Sequence, residues 1–410
     1  MDLLKSCIGV CPICGQEHFT ILLQFPDIPV FVNVPLSSAD EARSCPRGKQ
    51  RIVQCDHCGF VFNSDFEPKK VLYDVGYHAE RGNSAYYQRH IGHTLDFIES
   101  VRPLRGRYVL EVACGNGEFL AEAVKRGPKE TVGVDPSAPD LIEAPFRMKK
   151  TLFDEAYLSQ MSCPADVLIN RHMIEHILNP LDMLAQFHRA LADDGILYLE
   201  TPRLDWILDN HAFFDFPYEH CAYYSDQFIV CLLKMAGFEI VAIEHSYDEQ
   251  YFSICAKKSE VKPVSITVER DDLYHIQQSC SRLTQTYMNA NRPEVIQRIC
   301  ADTLRSGEPD LNPLFSSDGV YLWGAAAKGV MCANLLDNWP ISGFIDKNSN
   351  KWGKYIPGTG HLVLAPSQIS YPIVKTVIVE NDVYYREIQD EVQKIDRRIL
   401  TILLSELLRM

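Results

Sequence analysis

The segment that most constrains this 410-residue chain is Tyr108-Val109-Leu110-Glu111-Val112-Ala113-Cys114-Gly115-Asn116-Gly117-Glu118-Phe119-Leu120. An apolar run, a glycine turn and a helical stretch follow one another without a break. Glycines at such a turn let the backbone approach a ligand as larger side chains would not. Thr131-Val132-Gly133-Val134-Asp135 then reads as a second strand ending in an acid. Asp135 lies 18 residues after Gly117, a spacing suited to a carboxylate gripping ribose hydroxyls. The pattern predicts an open α/β sheet that holds a nucleotide-like ligand. Leu120 stands where a GxGxxG fingerprint has its third glycine, so the match to a dinucleotide site is incomplete.

The rest of the chain divides by texture. Residues 1–68 are rich in Cys, Pro and short β-like runs and predict a small zinc-binding domain. Residues 69–260 open with an aromatic, His-bearing linker and a helix over 86–101, then alternate strands and helices as a parallel sheet requires. Residues 261–410 begin polar and helical and return to α/β texture, with strands expected at Val320–Trp323, Ile341–Ile345, Thr376–Val379 and Leu400–Leu403. Within the central region, Asp166–Asn170 reads as the fourth strand. Ala192–Gly195 and Ile196–Glu200 read as a turn and the fifth strand, and Gly237-Phe238 as the turn before the sixth.

Cys11-Pro12-Ile13-Cys14 and Cys55-Asp56-His57-Cys58 form two CxxC knuckles. Four thiolates on two tight turns suit tetrahedral zinc, and a full set of four leaves no position for water, so the metal is read as structural. Cys7, Cys45, His18 and His57 are spare donors nearby. The remaining cysteines of the 14 do not suggest a disulfide framework in a chain this long whose Met1–Ser6 start lacks a basic, then apolar, leader. No window is apolar for long enough to span a bilayer. A cytoplasmic protein without membrane attachment is expected. The net charge of −14 argues against a nucleic-acid partner, which needs a basic surface, but leaves room for a local anion pocket.

A loop after the fifth strand, Phe213-Phe214-Asp215-Phe216-Pro217-Tyr218-Glu219-His220-Cys221-Ala222-Tyr223-Tyr224-Ser225, gathers a Tyr, a Glu and a His. It leaves the C-terminal end of a strand, where open α/β sheets bind ligands. A carboxylate beside a histidine raises its pKa and fixes its tautomer, preparing it as a general base. Tyr218 can donate to a developing oxyanion. His172 and His176 follow the fourth strand and reach the same edge, and Tyr73, Tyr77, His78 and Arg81 can cover it from the linker. Tyr223 and Tyr224 read as packing residues.

The glycine segment, with Glu111 two residues before the turn, resembles the first motif of class I methyltransferases, and the later strands keep that class's order. The resemblance implies S-adenosylmethionine as cofactor. It would be held by Glu111, Ala113, Gly115, Asn116, Gly117, Asp135 and Asn170, with Phe153 of Leu152-Phe153-Asp154 near adenine. The whole chain resembles the three-domain sugar C-methyltransferases, which act on 4-keto deoxysugar nucleotides. Gly324-Ala325-Ala326-Ala327-Lys328-Gly329, Asp346-Lys347-Asn348, Lys351-x-Gly353-Lys354-x-x-Pro357-Gly358 and Asn381 look like that family's C-terminal domain. By this resemblance His220 is the general base, with Glu219 beside it. His176 and Tyr77 line the acceptor pocket, and the C-terminal domain helps to bind the acceptor's nucleotide.

Two departures stand out. The family's Tyr-His-Glu-His has its tyrosine two places before the glutamate, where this chain has Pro217. Its Gly-x-Asn-Asp-Gly turn is replaced by Ala113-Cys114-Gly115-Asn116-Gly117. Three alternatives remain open on sequence: O- or N-methylation of a small molecule, a non-catalytic scaffold with this fold, and an NAD-dependent enzyme built on the Gly324 turn and Asp346.

Overall fold

The computed structural model describes residues 9–71, 84–139, 144–259, 270–292, 319–336 and 338–409. Three sheets collect the apolar runs. The first has the order β1-β2-β3-β9, all antiparallel: β1 (Phe19–Pro29), β2 (Arg47–Cys55), β3 (Val61–Asn63) and the two-residue β9 (Ala222–Tyr223). Its fourth strand therefore comes from the 213–225 loop, through Val61–Tyr223 and Phe62–Ala222 pairing.

The central sheet has seven strands. They are β4 (Tyr108–Val112), β5 (Glu130–Val134), β6 (Arg147–Lys149), β7 (Ala165–Arg171), β8 (Leu191–Pro202), β10 (Phe238–Ser246) and β11 (Tyr251–Lys258). The order is β10-β11-β8-β7-β4-β5-β6, with only β10–β11 and β11–β8 antiparallel. β4 and β7 are buried on both faces and read as nearly continuous apolar runs, as central parallel strands must. β10, at the edge, alternates exposed and half-buried positions. Ala192–Gly195 is not a separate turn: β8 begins at Leu191, and these residues bulge out of the ladder between the Ala165–Leu191 and Val167–Ile196 pairs. The exposed Asp193 and Asp194 explain the bulge, since neither carboxylate can enter the core.

The helix Ala85–Val101 starts at Ser84, whose hydroxyl accepts the Tyr87 N–H, and ends at Arg102, just before Pro103. Its buried residues Tyr87, Ile91, Leu95 and Ile98 fall on one helical face and pack on the central sheet. The third sheet is parallel throughout, in the order β14-β13-β12-β15-β16: β12 (Val320–Trp323), β13 (Ile341–Ile345), β14 (Val363–Leu364), β15 (Thr376–Val379) and β16 (Leu400–Leu403). Both parallel sheets reverse strand order beside their first strand, and ligands bind at such switch points.

The three regions share cores. Leu23, Phe25 and Ile28 of the first sheet, Phe213 and Phe216 of the loop, Ile276 and Leu283 of the helix Arg270–Ala290, Val330 of the helix Ala327–Leu335 and Phe344 of the third sheet belong to one cluster. No helix among the described residues is long and apolar enough to cross a membrane.

Candidate active site and metal centre

Cys11, Cys14, Cys55 and Cys58 bring their sulfurs within 4.8 Å of one another, and three of them are buried. The two knuckles are built alike. Gly15 N–H donates to Cys11 C=O and Gly59 N–H to Cys55 C=O, both at 2.9 Å. Cys11 N–H donates to Gln16 C=O and Cys55 N–H to Phe60 C=O. The Cys11–Cys58 and Cys14–Cys55 separations are 3.6 and 3.5 Å, close to the ~3.8 Å edge of a tetrahedron with zinc–sulfur bonds of about 2.3 Å. Four soft thiolate donors at this spacing fit a tetrahedral zinc ion. Cys45, His18 and His57 do not belong to the cluster, and Cys7 lies outside the described residues.

β4 runs into the glycine turn. Ala113 has φ +62 and Gly117 φ +82, and Gly117 caps the helix Glu118–Val124. A side chain at Gly117 would be strained, and its Cβ would come within 2.8 Å of the Phe146 ring. Asn116 Oδ1 accepts the Glu118 N–H at 3.2 Å. The carboxylate of Asp135, at the end of β5, accepts Gly115 N–H at 2.9 Å on one oxygen and Ser137 N–H at 2.7 Å on the other. The acid is thus held at the lip of the turn.

Two acceptors lie spare beside it. Glu111 is buried, its Oε2 has no partner, and burial pushes its carboxyl up to about 8. Asn170, at the end of β7, donates to Val112 C=O at 3.1 Å and leaves Oδ1 without a partner. β4 and β7 are paired in register at Val112–Asn170. Buried acceptors without partners are rare in folded proteins. A ligand bearing a positive charge and amino protons, as S-adenosylmethionine does, would satisfy both. Phe153 departs from expectation. Its side chain packs in the core against Tyr157 and Phe187, at 5.4 and 5.6 Å, and Leu152 is the exposed neighbour. An aromatic ring gains more from that packing than from a half-wetted surface.

At the next strand ends, the turn Ile174–His176 faces the 213–225 loop. His176 Nδ1 lies 3.0 Å from the Glu219 carbonyl, and Cys221 N–H donates to the Glu175 carbonyl at 2.9 Å. A carbonyl only accepts, so Nδ1 carries the proton and Nε2 is an acceptor. Burial lowers the His176 pKa and keeps the ring neutral. The His176 and His220 rings meet edge to face at 4.8 Å.

Two other expectations change. The acid grouped with both rings is Glu175: one of its oxygens and one nitrogen of each ring lie within 4.8 Å of one another. Glu219 is buried with Oε1 on the Val32 N–H at 3.0 Å, where it answers an otherwise orphaned donor of the first sheet's border. Tyr218 is fully buried. Its ring fills the space over Gly48 beside Phe66, and its hydroxyl accepts the Glu67 N–H at 2.9 Å. It braces the loop against the first sheet. Tyr223 and Tyr224 pack as expected, with Gln50 and the Ile174 carbonyl on their hydroxyls. Tyr77, with Tyr73, His78 and Arg81, lies outside the described residues.

Residues 84–243 match the methyltransferase-domain family. This region is a methyltransferase domain, of the S-adenosylmethionine-dependent, Rossmann-like kind. The chain is also 24% identical over 377 residues to "C-methyltransferase NovU" of Streptomyces niveus, across 88% of this chain and 86% of that protein. It is 29% identical over 126 residues to tRNA U34 carboxymethyltransferase of Helicobacter pylori strain G27, across 28% of this chain. The match spans 48%, about half, of that relative's length. Among solved structures, magnesium protoporphyrin IX methyltransferase of Synechocystis PCC 6803 with bound SAH has a TM-score of 0.34 at 17% identity, covering 42% of this chain and 84% of that one.

Beneath the methyltransferase domain's strand ends lies a charged network that the motifs did not reveal. Glu200 of β8 is fully buried and accepts from Arg171 at 2.9 Å and Tyr198 at 2.9 Å, with His90 Nε2 at 3.0 Å. Burial opposes its ionisation, but the Arg171 and His90 charges hold its pKa well below the usual carboxylate range. These residues lie up to 110 positions apart, and only pairing of the strands and the Ala85–Val101 helix brings them together. A polar residue in an apolar run (Glu200 in Leu197-Tyr198-Leu199-Glu200) was the one available signal.

Proposed function

We propose that the chain transfers the methyl group of S-adenosylmethionine to a carbon of a nucleotide-linked keto-deoxysugar. The observation that carries this reading is the His176–His220–Glu175 group at the edge of the methyltransferase sheet, one strand end away from the cofactor turn. Carbon, unlike a hydroxyl oxygen, has no lone pair with which to attack, so a base must first remove a proton. In this reading His220 takes the proton at C3 and the C–H electrons form an enolate conjugated with the C4 ketone. The enolate carbon attacks the sulfonium methyl in line, releasing S-adenosylhomocysteine. Neutral His176 lines the acceptor site. Glu219 and Tyr218 hold the loop in place. Positioning supplies much of the remaining rate. The similarity over 88% of the chain to a C-methyltransferase supports carbon as the acceptor.

The proposed division of labour assigns residues 1–68 to a structural zinc, 69–260 to methyl transfer and 261–410 to the acceptor's nucleotide. Lys328 of the third region reaches the loop, 2.8 Å from Asp215 and over the Trp206 ring at 4.7 Å, which supports a site shared between regions. The test uses purified protein, S-adenosylmethionine and a panel of 4-keto-6-deoxy sugar nucleotides in heavy water. Deuterium uptake at C3 and methyl gain, both lost in His220→Ala, are the expected result. Cofactor binding without any change in the panel would move the acceptor to oxygen or nitrogen.

A further inference from the structure

We infer that Glu175 is the charged partner that orients and tunes the His176–His220 pair, and that His172 holds it in place. The inference rests on the base role proposed above. Glu175 is 2% exposed, and both its carboxylate oxygens face protein groups: the Thr201 hydroxyl donates to Oε2 at 2.9 Å, and His172 Nδ1 lies 3.6 Å from Oε1. Its own carbonyl accepts the Cys221 N–H, and the next residue's ring bonds the Glu219 carbonyl. The turn that carries the acid and the loop that carries His220 are therefore fastened at two adjacent points. The acid cannot drift from the rings without breaking both.

His172 occupies a costly conformation. Its φ is +50, in the left-handed region that side chains rarely adopt. Such strain persists only where the surroundings require it. The ring meets Tyr251 edge-on at 4.5 Å, and its Nε2 lies 3.0 Å from Glu200 Oε1. His172 thus stands between two buried acids, one anchored on Arg171 and the other beside the catalytic pair. The groups facing Glu175 are the rings of His172, His176 and His220, the Thr201 hydroxyl and the Tyr224 phenol, with Glu200 and Arg171 behind His172. Burial alone would raise Glu175. The neighbouring His172, His176 and His220 rings outweigh it and hold the carboxyl at about 2. An ionised acid at this place stabilises the imidazolium that forms when the base takes its proton.

Glu175→Gln keeps the side chain's shape and an acceptor for Thr201 and removes only the charge. Histidine ring protons of the full-length protein, followed by NMR across pH and assigned with His176→Gln and His220→Gln, read the effect directly. The expected result is a downward move of the His176 and His220 midpoints by about one pH unit or more. Kinetically, kcat should fall ~100-fold with KM within about threefold. The acid limb of the pH–rate profile should shift to lower pH, and Glu175→Asp should recover part of the loss. Unmoved midpoints, or a wild-type kcat and acid limb in Glu175→Gln, overturn the inference. If wild-type protein methylates no keto-sugar, the functional reading fails by itself, and the midpoints still decide the role of Glu175. If Glu175→Gln does not fold, Glu175→Asp, which withdraws the carboxylate from the rings, carries the same readout, with smaller downward shifts expected and none overturning the assignment.

Discussion

The molecule contains the same device twice, and the two copies are wired differently. In the methyltransferase domain, β4 leads into the Gly115 turn and β5 ends at Asp135. In the third region, β12 leads into the Gly324 turn and β13 ends at Asp346. Asp135 accepts the Gly115 N–H at 2.9 Å and the N–H two residues ahead, at Ser137, at 2.7 Å. Asp346 accepts the Ala325 N–H at 2.8 Å and the N–H two residues ahead, at Asn348, at 2.8 Å. The backbone logic is identical: an acid on the second strand ties down the turn after the first.

The side chains on the neighbouring strand make the difference. Beside the first turn, Glu111 and Asn170 keep acceptors without partners, a cradle for a cationic donor. Beside the second, Asp346 is neutralised by the buried Lys351 at 3.2 Å, and Glu380 at the end of β15 lies directly over Gly324, where a Cβ would strike its carboxylate. Glu380 Oε2 is itself without a partner, and burial pushes its carboxyl up to about 8. Lys328 enters the first turn of the following helix, against the favourable sense of the helix dipole, and is held there by Asp215 from the other sheet's loop. The first turn thus stays clear of the other sheets, and the second is tied through Lys328 to the loop of the first sheet. Glycine pattern and acid spacing specify the turn. What it holds is decided by residues on a strand far away in sequence.

The largest effects should separate the two turns. Gly117→Val or Asp135→Ala should weaken S-adenosylmethionine binding by ~100-fold or more in calorimetry, since one blocks the turn and the other unties it. Asp346→Ala should leave that affinity within about twofold. Equal losses would break the comparison.

Next in size is the metal. Removing zinc with a chelator, or Cys55→Ser, should lower Tm by ~10 °C or more, because structural zinc contributes directly to folding. It should also loosen the strand Ala222–Tyr223 and cut turnover, while cofactor affinity at the Gly115 turn changes little. A large drop in affinity would show that the cofactor turn depends on the zinc region.

The smallest effect is pH-dependent. Burial raises the folded-state pKa of Glu111 and of Glu380 to about 8, well above an ordinary glutamate's. Such a carboxyl contributes its full stability below about pH 4.5 and loses it as pH rises through about 8. Cofactor-free protein should therefore lose stability across that window. Glu111→Gln and Glu380→Gln should each flatten the loss and raise Tm at pH 8 by a few degrees in calorimetric melts. Saturating cofactor should offset the Glu111 share and leave the Glu380 share intact. An unchanged pH slope in both variants would mean that neither carboxyl is held protonated.

Much of this was legible before any coordinates. The Cys11–Cys14 and Cys55–Cys58 knuckles, the Tyr108–Gly117 turn and the strands through Leu403 are local signals, set by spacing and periodicity within a few residues, and the structure follows them closely. The loop's partners were not legible. Glu219-His220 adjacency suggests a pair, but the two residues sit in a turn closed by His220 N–H on the Pro217 carbonyl, where Glu219 reaches Val32 while Glu175 comes up beside the rings. Tyr218 and Phe153 were read as site residues, and both were drawn into cores where large rings bury more apolar surface.

The sequence alone determined the order of elements, the two cysteine knuckles and the glycine turn, because each depends on backbone geometry over a short stretch. Tertiary structure decided which acid faces which histidine, which side chains surround each of two similar turns, and that the loop Phe213–Ser225 completes the N-terminal sheet. Those outcomes depend on packing and charge between segments tens to hundreds of residues apart, where burial makes an unpaired carboxylate or N–H costly and only the folded chain determines its partner.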